Sequence, residues 1–450
     1  MMMRNFICIL FSLTYLVLTS QEGIPQELHF GPNSELTYTN PSEVGMDSVF
    51  IYRKVDSIMT TAIKKEAFPG AQVLVAKDAK IIFHKAYGHH TFDSTQTVQL
   101  DDIYDLASVT KITGPLPALM KLVDEGKLDL DAPFSTYWKS WQKIENKKDI
   151  TLREILAHQA GLKPYIVFLN MVLKKNGKFK RRYVRTSLRK KFEKQAYDRL
   201  FINNNLNKKM YRMIEKSAVG EKKYTYSGLT FLIFPQLIAE LSGQPYETFL
   251  RDLFYVPLGM KTMGFRPKLK NFSNKIVPTE NDTLFRNTLT QGWVHDENAA
   301  LLGGVSGNAG LFATATDLAK IMQMYMQYGT YADKRYISKE TVKEFIKVQY
   351  PENENRRGLG FDKPLLNNSV LNLSASYPAP EVGADSFGHS GFTGTFVWAD
   401  PEHQLVFIFL SNRVYPSREN RNLYRLKVRP AIQQVFYKAF SPPNKNIIHH

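Results

Sequence analysis

Cysteine is nearly absent from this chain of 450 residues: Cys8 is the only one, and it lies inside an apolar N-terminal run. The remainder can hold neither a disulfide framework nor a cysteine-ligated metal. Beyond that run no stretch is long and apolar enough to span a bilayer. There is no Gly-x-Ser-x-Gly, which counts against the nucleophile elbow of an α/β-hydrolase. Internal repeats are missing too. Acidic residues are in the minority, 42 against 59 Lys and Arg, for a formal net charge of +17.

That imbalance is local. Between Lys163 and Lys223 nineteen basic residues face four acids (Glu193, Asp198, Glu215, Glu221), so +15 of the net charge falls in this one interval. It reads as a basic insertion whose surface suits an anionic wall polymer or a membrane surface; the plainer reading is a solvated, solubilising segment. No nucleic-acid motif accompanies it, and no nucleic acid is expected as a partner.

What is present begins with Met1-Met2-Met3-Arg4-Asn5, an apolar run from Phe6 to Leu18, and Thr19-Ser20. This order predicts a signal peptide over 1–20 and an exported protein, periplasmic or secreted. Leu18 makes the cleavage site imperfect, so retention as an N-terminal anchor is the alternative. Residues 21–40 read as a leader and 441–450 as a frayed tail. With 43% hydrophobic residues, the rest can form a substantial core. A helix is predicted from Ser48 to Lys65, then strands 71–76 and 80–86 joined by a turn at Lys77-Asp78-Ala79. The middle, 105–360, reads as mostly helical with long loops. Strands return at 395–398 and 405–410, followed by a helix over 428–440. Strands at both ends with helices between imply an α/β fold of the α+β type, its sheet assembled from the two termini around an inserted helical region.

Ser108-Val109-Thr110-Lys111 carries the chemistry. On a helix, residues three apart are neighbours, so the Lys111 amine can reach the Ser108 hydroxyl and take its proton. Ser140-x-x-Lys143 and Ser187-x-x-Lys190 repeat the spacing, but only Ser108 precedes helical periodicity (Leu116, Leu119, Met120, Leu122, Val123) with a stop at Gly126. A helix start also favours developing negative charge. Two further stretches follow: Tyr224-Thr225-Tyr226-Ser227-Gly228, running into an apolar helix that ends at Ser242-Gly243, and Gly388-His389-Ser390-Gly391-Phe392-Thr393-Gly394 before an apolar strand. A phenol beside a cation is a proton shuttle, and a glycine-rich strand edge admits a substrate backbone.

These three stretches, in this order, resemble the signatures Ser-x-x-Lys, Tyr-x-Asn and Lys/His-x-Gly of the serine β-lactamase-like superfamily. The branch is that of class C β-lactamases, low-molecular-weight penicillin-binding proteins and related esterases. The resemblance covers roughly 41–440 and includes Phe68-Pro69-Gly70, Leu152 to Leu162 and Ala309 to Thr314. It implies an antiparallel sheet flanked by the N- and C-terminal helices beside an all-helical lobe, with the site between them. It implies Ser108 as acylated nucleophile, Lys111 as its base and Tyr226 as proton relay; Tyr226 is preferred to Tyr224 because Ser242-Gly243 then falls at the family's distance. His389 stands for the third-motif lysine. The oxyanion and substrate contacts fall to backbone N–H groups of Ser108 and Phe392, with Ser390 and Gly391 beside them. His158 is expected to pack within the fold, and 294–298, which precedes Gly303-Gly304, to be a structural loop, with a place at the border of the cleft as the alternative. Gly228 departs from the motif's Asn, which weighs against amide substrates more than activated esters.

The resulting expectation is an exported serine hydrolase acting through an acyl-enzyme on cell-wall D-amino-acid peptides or small esters and amides, with no metal or cofactor implied. The alternative is a catalytically impaired module that binds an anionic polymer through 163–223.

Overall fold

The structure is a computed structural model that describes residues 35–270, 272 and 275–440. The expected signal peptide, most of the leader and the tail lie outside these residues. The main sheet contains β1 (Thr37–Tyr38), β2 (Gly70–Lys77), β3 (Lys80–Gly88), β4 (Phe387–Ser390), β5 (Phe396–Asp400) and β6 (Leu405–Ser411), in spatial order β1-β3-β2-β6-β5-β4. All pairs are antiparallel except β1 with β3. Asp78 (φ 52°) and Ala79 (φ 59°) are both left-handed, so Lys77 faces Lys80 across a two-residue hairpin turn whose twist suits the strands it joins.

The central strands are apolar without alternation because both their faces are covered. On β6, Leu405, Phe407 and Phe409 point into one core, while Val406, Ile408 and Leu410 point into the other. The first core is closed by α1 (Ser48–Lys64) and the C-terminal helix Val428–Lys438. On α1, Ile51, Val55, Met59 and Ala62 form the buried stripe, and the Asp47 carboxylate caps the helix by accepting from Phe50 N–H. The second face carries helix Ala315–Met326 and the helical region beyond it.

That region is not purely helical. Short strands pair at 104–105, 264–265 and 311–313, at 280–282 and 288–290, and, within the basic interval, at 184–185, 194–197 and 200–202. Pieces of two to four residues are too short to show a period of two, which is why the sequence reads them as loop. The basic interval also contributes Phe168, Val172, Ile202, Leu206, Met210 and Ile214 to the larger core. Among the described residues no helix is long and apolar enough to cross a membrane.

Candidate active site

Ser108 sits in a single 3-10 turn, Ala107–Val109, that runs into the short helix Thr110–Thr113. The chain then breaks at Gly114, and the longer helix Pro115–Asp124 follows. The turn is entered through Ala107 in a left-handed conformation (φ 46°), a strained position for a residue with a Cβ. Asp105 holds it there: one carboxylate oxygen accepts from Ala107 N–H at 2.8 Å and the other from His295 N–H at 2.7 Å. Burial raises the pKa of Asp105.

Lys111 is buried, and its Nζ donates to Ser108 Oγ at 2.9 Å and to the Asn308 carbonyl at 3.1 Å. The first-motif pair therefore has the contact that proton transfer needs. Ser140 and Ser187 show no such contact with their lysines among the described residues.

Tyr226 lies beside this pair. Lys111 Nζ is 5.2 Å from the centre of its ring, the His389 ring is 6.0 Å away and the His158 ring 4.6 Å. Tyr224 points elsewhere, its hydroxyl accepting from Arg357 Nε and Nη2 at 3.3 and 3.2 Å. His158 does pack within the fold, but against the site tyrosine: its Nδ1 accepts from Ser227 N–H at 3.3 Å and its carbonyl from Thr225 N–H at 2.9 Å, so it shapes the second-motif loop. Gly228 leaves its neighbourhood open, since an added Cβ would meet only Asn308 Cβ, at 3.9 Å.

The third motif comes in on β4. His389 is 2% exposed, and its Nδ1 donates to the Ser390 carbonyl at 2.8 Å, which leaves Nε2 as an acceptor with no partner among the described residues. Burial, then Arg357 and Lys111, lower its pKa to about 3, so the imidazole is neutral. Burial, with Arg357 and Lys111 next, lowers His158 well below its usual value as well.

The turn after β4 is stapled to the strand before Ser108. Thr393 Oγ1 donates to the Asp105 carbonyl at 2.8 Å and Thr395 Oγ1 to the Leu106 carbonyl at 3.0 Å. Gly391 is demanded by that closeness, because a Cβ there would stand 2.0 Å from Thr395 Oγ1 and 2.5 Å from the Leu106 carbonyl oxygen. Its N–H is taken by the Thr395 carbonyl, whereas Phe392 N–H bonds to no described residue. Of these two donors, only the second is free to face a substrate oxygen.

Ser108 and Phe392 open on a cavity of about 450 Å³, walled by apolar residues including Tyr165, Val167, Leu169 and Leu284 and closed at a polar end by His295, Asp296, Glu297 and Arg418. The 294–298 segment thus borders the cleft, the alternative to a purely structural loop. Arg418 Nη2 bridges Glu280 at 2.6 Å and Glu297 at 2.8 Å, and His295 Nε2 meets Glu280 at 2.6 Å. Although burial works against its charge, hydrogen bonds from His295 and Arg418 lower Glu280 to about 2.

Sequence reasoning missed Asn308, Arg357 and Arg418, none of which stands in a motif. The Gly-rich run Gly303-Gly304-Val305-Ser306-Gly307 before Asn308 was the one usable hint. Among the described residues no group of three or more His, Cys, Asp or Glu is placed to hold a metal ion.

A family model described as Beta-lactamase matches residues 55–429. A Salmonella gallinarum protein named "Putative D-alanyl-D-alanine carboxypeptidase" is 29% identical over 427 residues, covering 88% of this chain and 91% of that protein. A Salmonella typhi protein of the same name matches to the same extent, with 29% identity over 427 residues. Among solved structures, EstCE1, described as a hydrolase with promiscuous acyltransferase activity, has a TM-score of 0.61 at 16% identity, covering 85% of this chain and 98% of its own. A penicillin-binding protein homologue from Caulobacter crescentus has 0.59 at 17%, covering 86% and 97%. A class C β-lactamase from Rhodobacter sphaeroides has 0.58 at 16%, covering 85% and 99%. At these identities the structures speak for the fold alone. With the family match spanning most of the chain, this protein belongs to the Beta-lactamase family, a family of serine hydrolases.

Proposed function

We propose that the protein is an exported serine hydrolase that works through an acyl-enzyme on Ser108, with cell-wall D-amino-acid peptides or small esters and amides as substrates. Lys111 takes the Ser108 proton as Oγ attacks the substrate carbonyl. The N–H groups of Ser108 and Phe392 stabilise the oxyanion. Tyr226 passes the proton to the leaving group as its bond to the acyl carbon breaks. Water, deprotonated with help from Tyr226, then cleaves the Ser108 ester. His389, neutral with a bare Nε2, accepts a hydrogen bond but supplies no charge.

The observation that carries this reading is the 2.9 Å contact from Lys111 Nζ to Ser108 Oγ at the edge of a cavity. The names of the Salmonella relatives favour peptide substrates, and an activated ester is tested first because it makes few demands on Gly228. Hydrolysis of p-nitrophenyl acetate by the mature protein is expected to vanish in Ser108→Ala with the melting temperature preserved. Equal turnover in a folded mutant overturns the proposal. Appearance of the wild-type protein in the periplasmic or secreted fraction checks export.

A second reading is a module impaired by Gly228 that binds an anionic wall polymer or membrane surface through 163–223. It draws on a cavity of about 410 Å³ lined by Arg182, Lys191 and Lys209, none of them ion-paired among the described residues. Binding of teichoic acid or anionic vesicles that survives Ser108→Ala and weakens steeply with salt supports it; salt-independent binding rejects it.

A further inference from the structure

His389 leaves a gap in the electrostatics of this site. In the family that the motifs resemble its position is often a lysine, and here it holds a buried, neutral imidazole. A positive charge does stand nearby, on a different element. The segment 355–362 meets the edge of β4 at one point, where Asp362 and Gly388 exchange backbone hydrogen bonds at 2.8 and 3.0 Å. Arg357, five residues before Asp362, has its guanidinium carbon 5.2 Å from the Tyr226 ring centre and 5.7 Å from that of Tyr224.

Arg357 is 5% exposed. Its Nε and Nη2 donate to Tyr224, and Nε lies 3.5 Å from Asp362 Oδ1. Nη1 is buried and has no hydrogen-bond partner among the described residues. Nor does Asp362 cancel its charge, because the same carboxylate oxygen accepts from Arg356 Nη2 at 2.6 Å. Two guanidinium groups share one carboxylate, so the cluster keeps a net positive charge. A buried cation with an unused donor is costly unless something nearby becomes negative.

We infer that Arg357 is a positioning residue that supplies the fixed positive charge against Tyr226 which His389 does not carry, and so favours the phenolate form when Tyr226 gives up its proton. The inference rests on the acyl-enzyme reading above. The groups facing Tyr226 are Lys111 from the turn after Ser108, His158 from the loop before the basic interval, His389 from β4, and Arg357 with Asp362 from 355–362. The two histidines are neutral, Asp362 is shared, and Lys111 is committed to Ser108 and Asn308. Arg357 is therefore a cation near this ring that keeps a buried nitrogen, Nη1, with no partner among the described residues. Burial opposes its charge, yet Asp362 and the two tyrosines more than restore it.

The test is the pH dependence of kcat for p-nitrophenyl acetate between about pH 5.5 and about pH 10.5 in the mature wild type, Arg357→Lys and Arg357→Met. Removing the charge raises the phenol pKa, so Arg357→Met is expected to move the midpoint of the rising limb up by about one unit or more and to lower kcat at neutral pH about tenfold, with KM little changed. Arg357→Lys is expected to stay within about half a unit of wild type. An unmoved midpoint in folded Arg357→Met overturns the inference, as does a lysine variant that shifts as far as the methionine one. Should Arg357→Met not fold, Asp362→Asn decides: removing the counter-charge lowers the midpoint, and a midpoint unchanged or raised overturns the proposal. If Ser108→Ala is as active as wild type, the acyl-enzyme reading itself fails; Ser108-dependent activity with an unmoved profile rejects only the role of Arg357.

Discussion

Gly228 is the residue at which this site leaves the pattern of its family and His389 the one that puts a neutral group in its third motif, and each has a measurable consequence. The space around Gly228 is open and its backbone is not left-handed. Gly228→Asn is therefore expected to change stability by less than about 1 kcal/mol. It should raise turnover of D-alanyl amide substrates relative to p-nitrophenyl esters, a ratio that steady-state kinetics reads directly. His389 and His158 are buried neutral, and burial also lowers His84 to about 4. In the unfolded chain each takes up a proton near pH 6.5, and in the folded chain only at much lower pH. The unfolded state thus binds more protons in this window, so stability is full above about pH 6.5 and falls as the pH drops, by up to about 1.4 kcal/mol per unit per histidine. His403, raised by Asp400, has the opposite sign: its contribution is present below its usual value and lost as the pH rises. Thermal melting between pH 7 and pH 5 is expected to show a net fall, with a shallower slope in His389→Asn.

At the scale of elements, the site depends on how closely the turn after β4 approaches the strand that precedes Ser108. Thr393, Thr395 and the missing side chain of Gly391 together set that approach. Gly391→Ala forces a methyl group into the Thr395 hydroxyl and the Leu106 carbonyl. It is expected to destabilise the protein by about 1–3 kcal/mol, read by thermal melting, and to reduce ester turnover by displacing Phe392 from Ser108. The elements that carry this geometry were readable in advance where they are long. The α1 helix, the β2–β3 hairpin, β5, β6 and the last helix fall close to their predicted places because helical apolar periodicity marks the helices, a turn marks the hairpin, and apolar runs mark β5 and β6. The two-to-four-residue strands of the helical region left no such mark. Their pairing is decided by long-range contacts such as Asp105 with Phe312, residues that nothing in the local sequence connects.

For the whole molecule, the question is what the basic interval does. Its exposed face carries most of the net charge, while its inner face supplies core residues and, through Tyr165, Val167 and Leu169, part of the cavity wall. Charge and fold are thus separable. Replacing Lys190, Lys191 and Lys209 with glutamate should leave the melting temperature within about 2 °C, since exposed charges contribute little to stability. The same variant should lose affinity for anionic polymer if the second reading holds. Deleting 174–205 removes buried Tyr183, Ala196 and Ile202, and is expected to lower the melting temperature sharply.

The sequence by itself determined the class of this protein. Three motifs in order single out Ser108, Lys111, Tyr226 and His389, because the chemistry they suit needs particular side chains at short, local spacing. It also determined the sheet's central strands, because burial on both faces demands unbroken apolar runs. Only the tertiary structure decided that His389 is neutral, that Gly391 has given up its N–H and that Arg357, Asn308 and Arg418 border the site. Those are matters of desolvation, hydrogen-bond allocation and charge proximity between residues far apart in the chain. They come into being only when the sheet and the helical region close on Ser108.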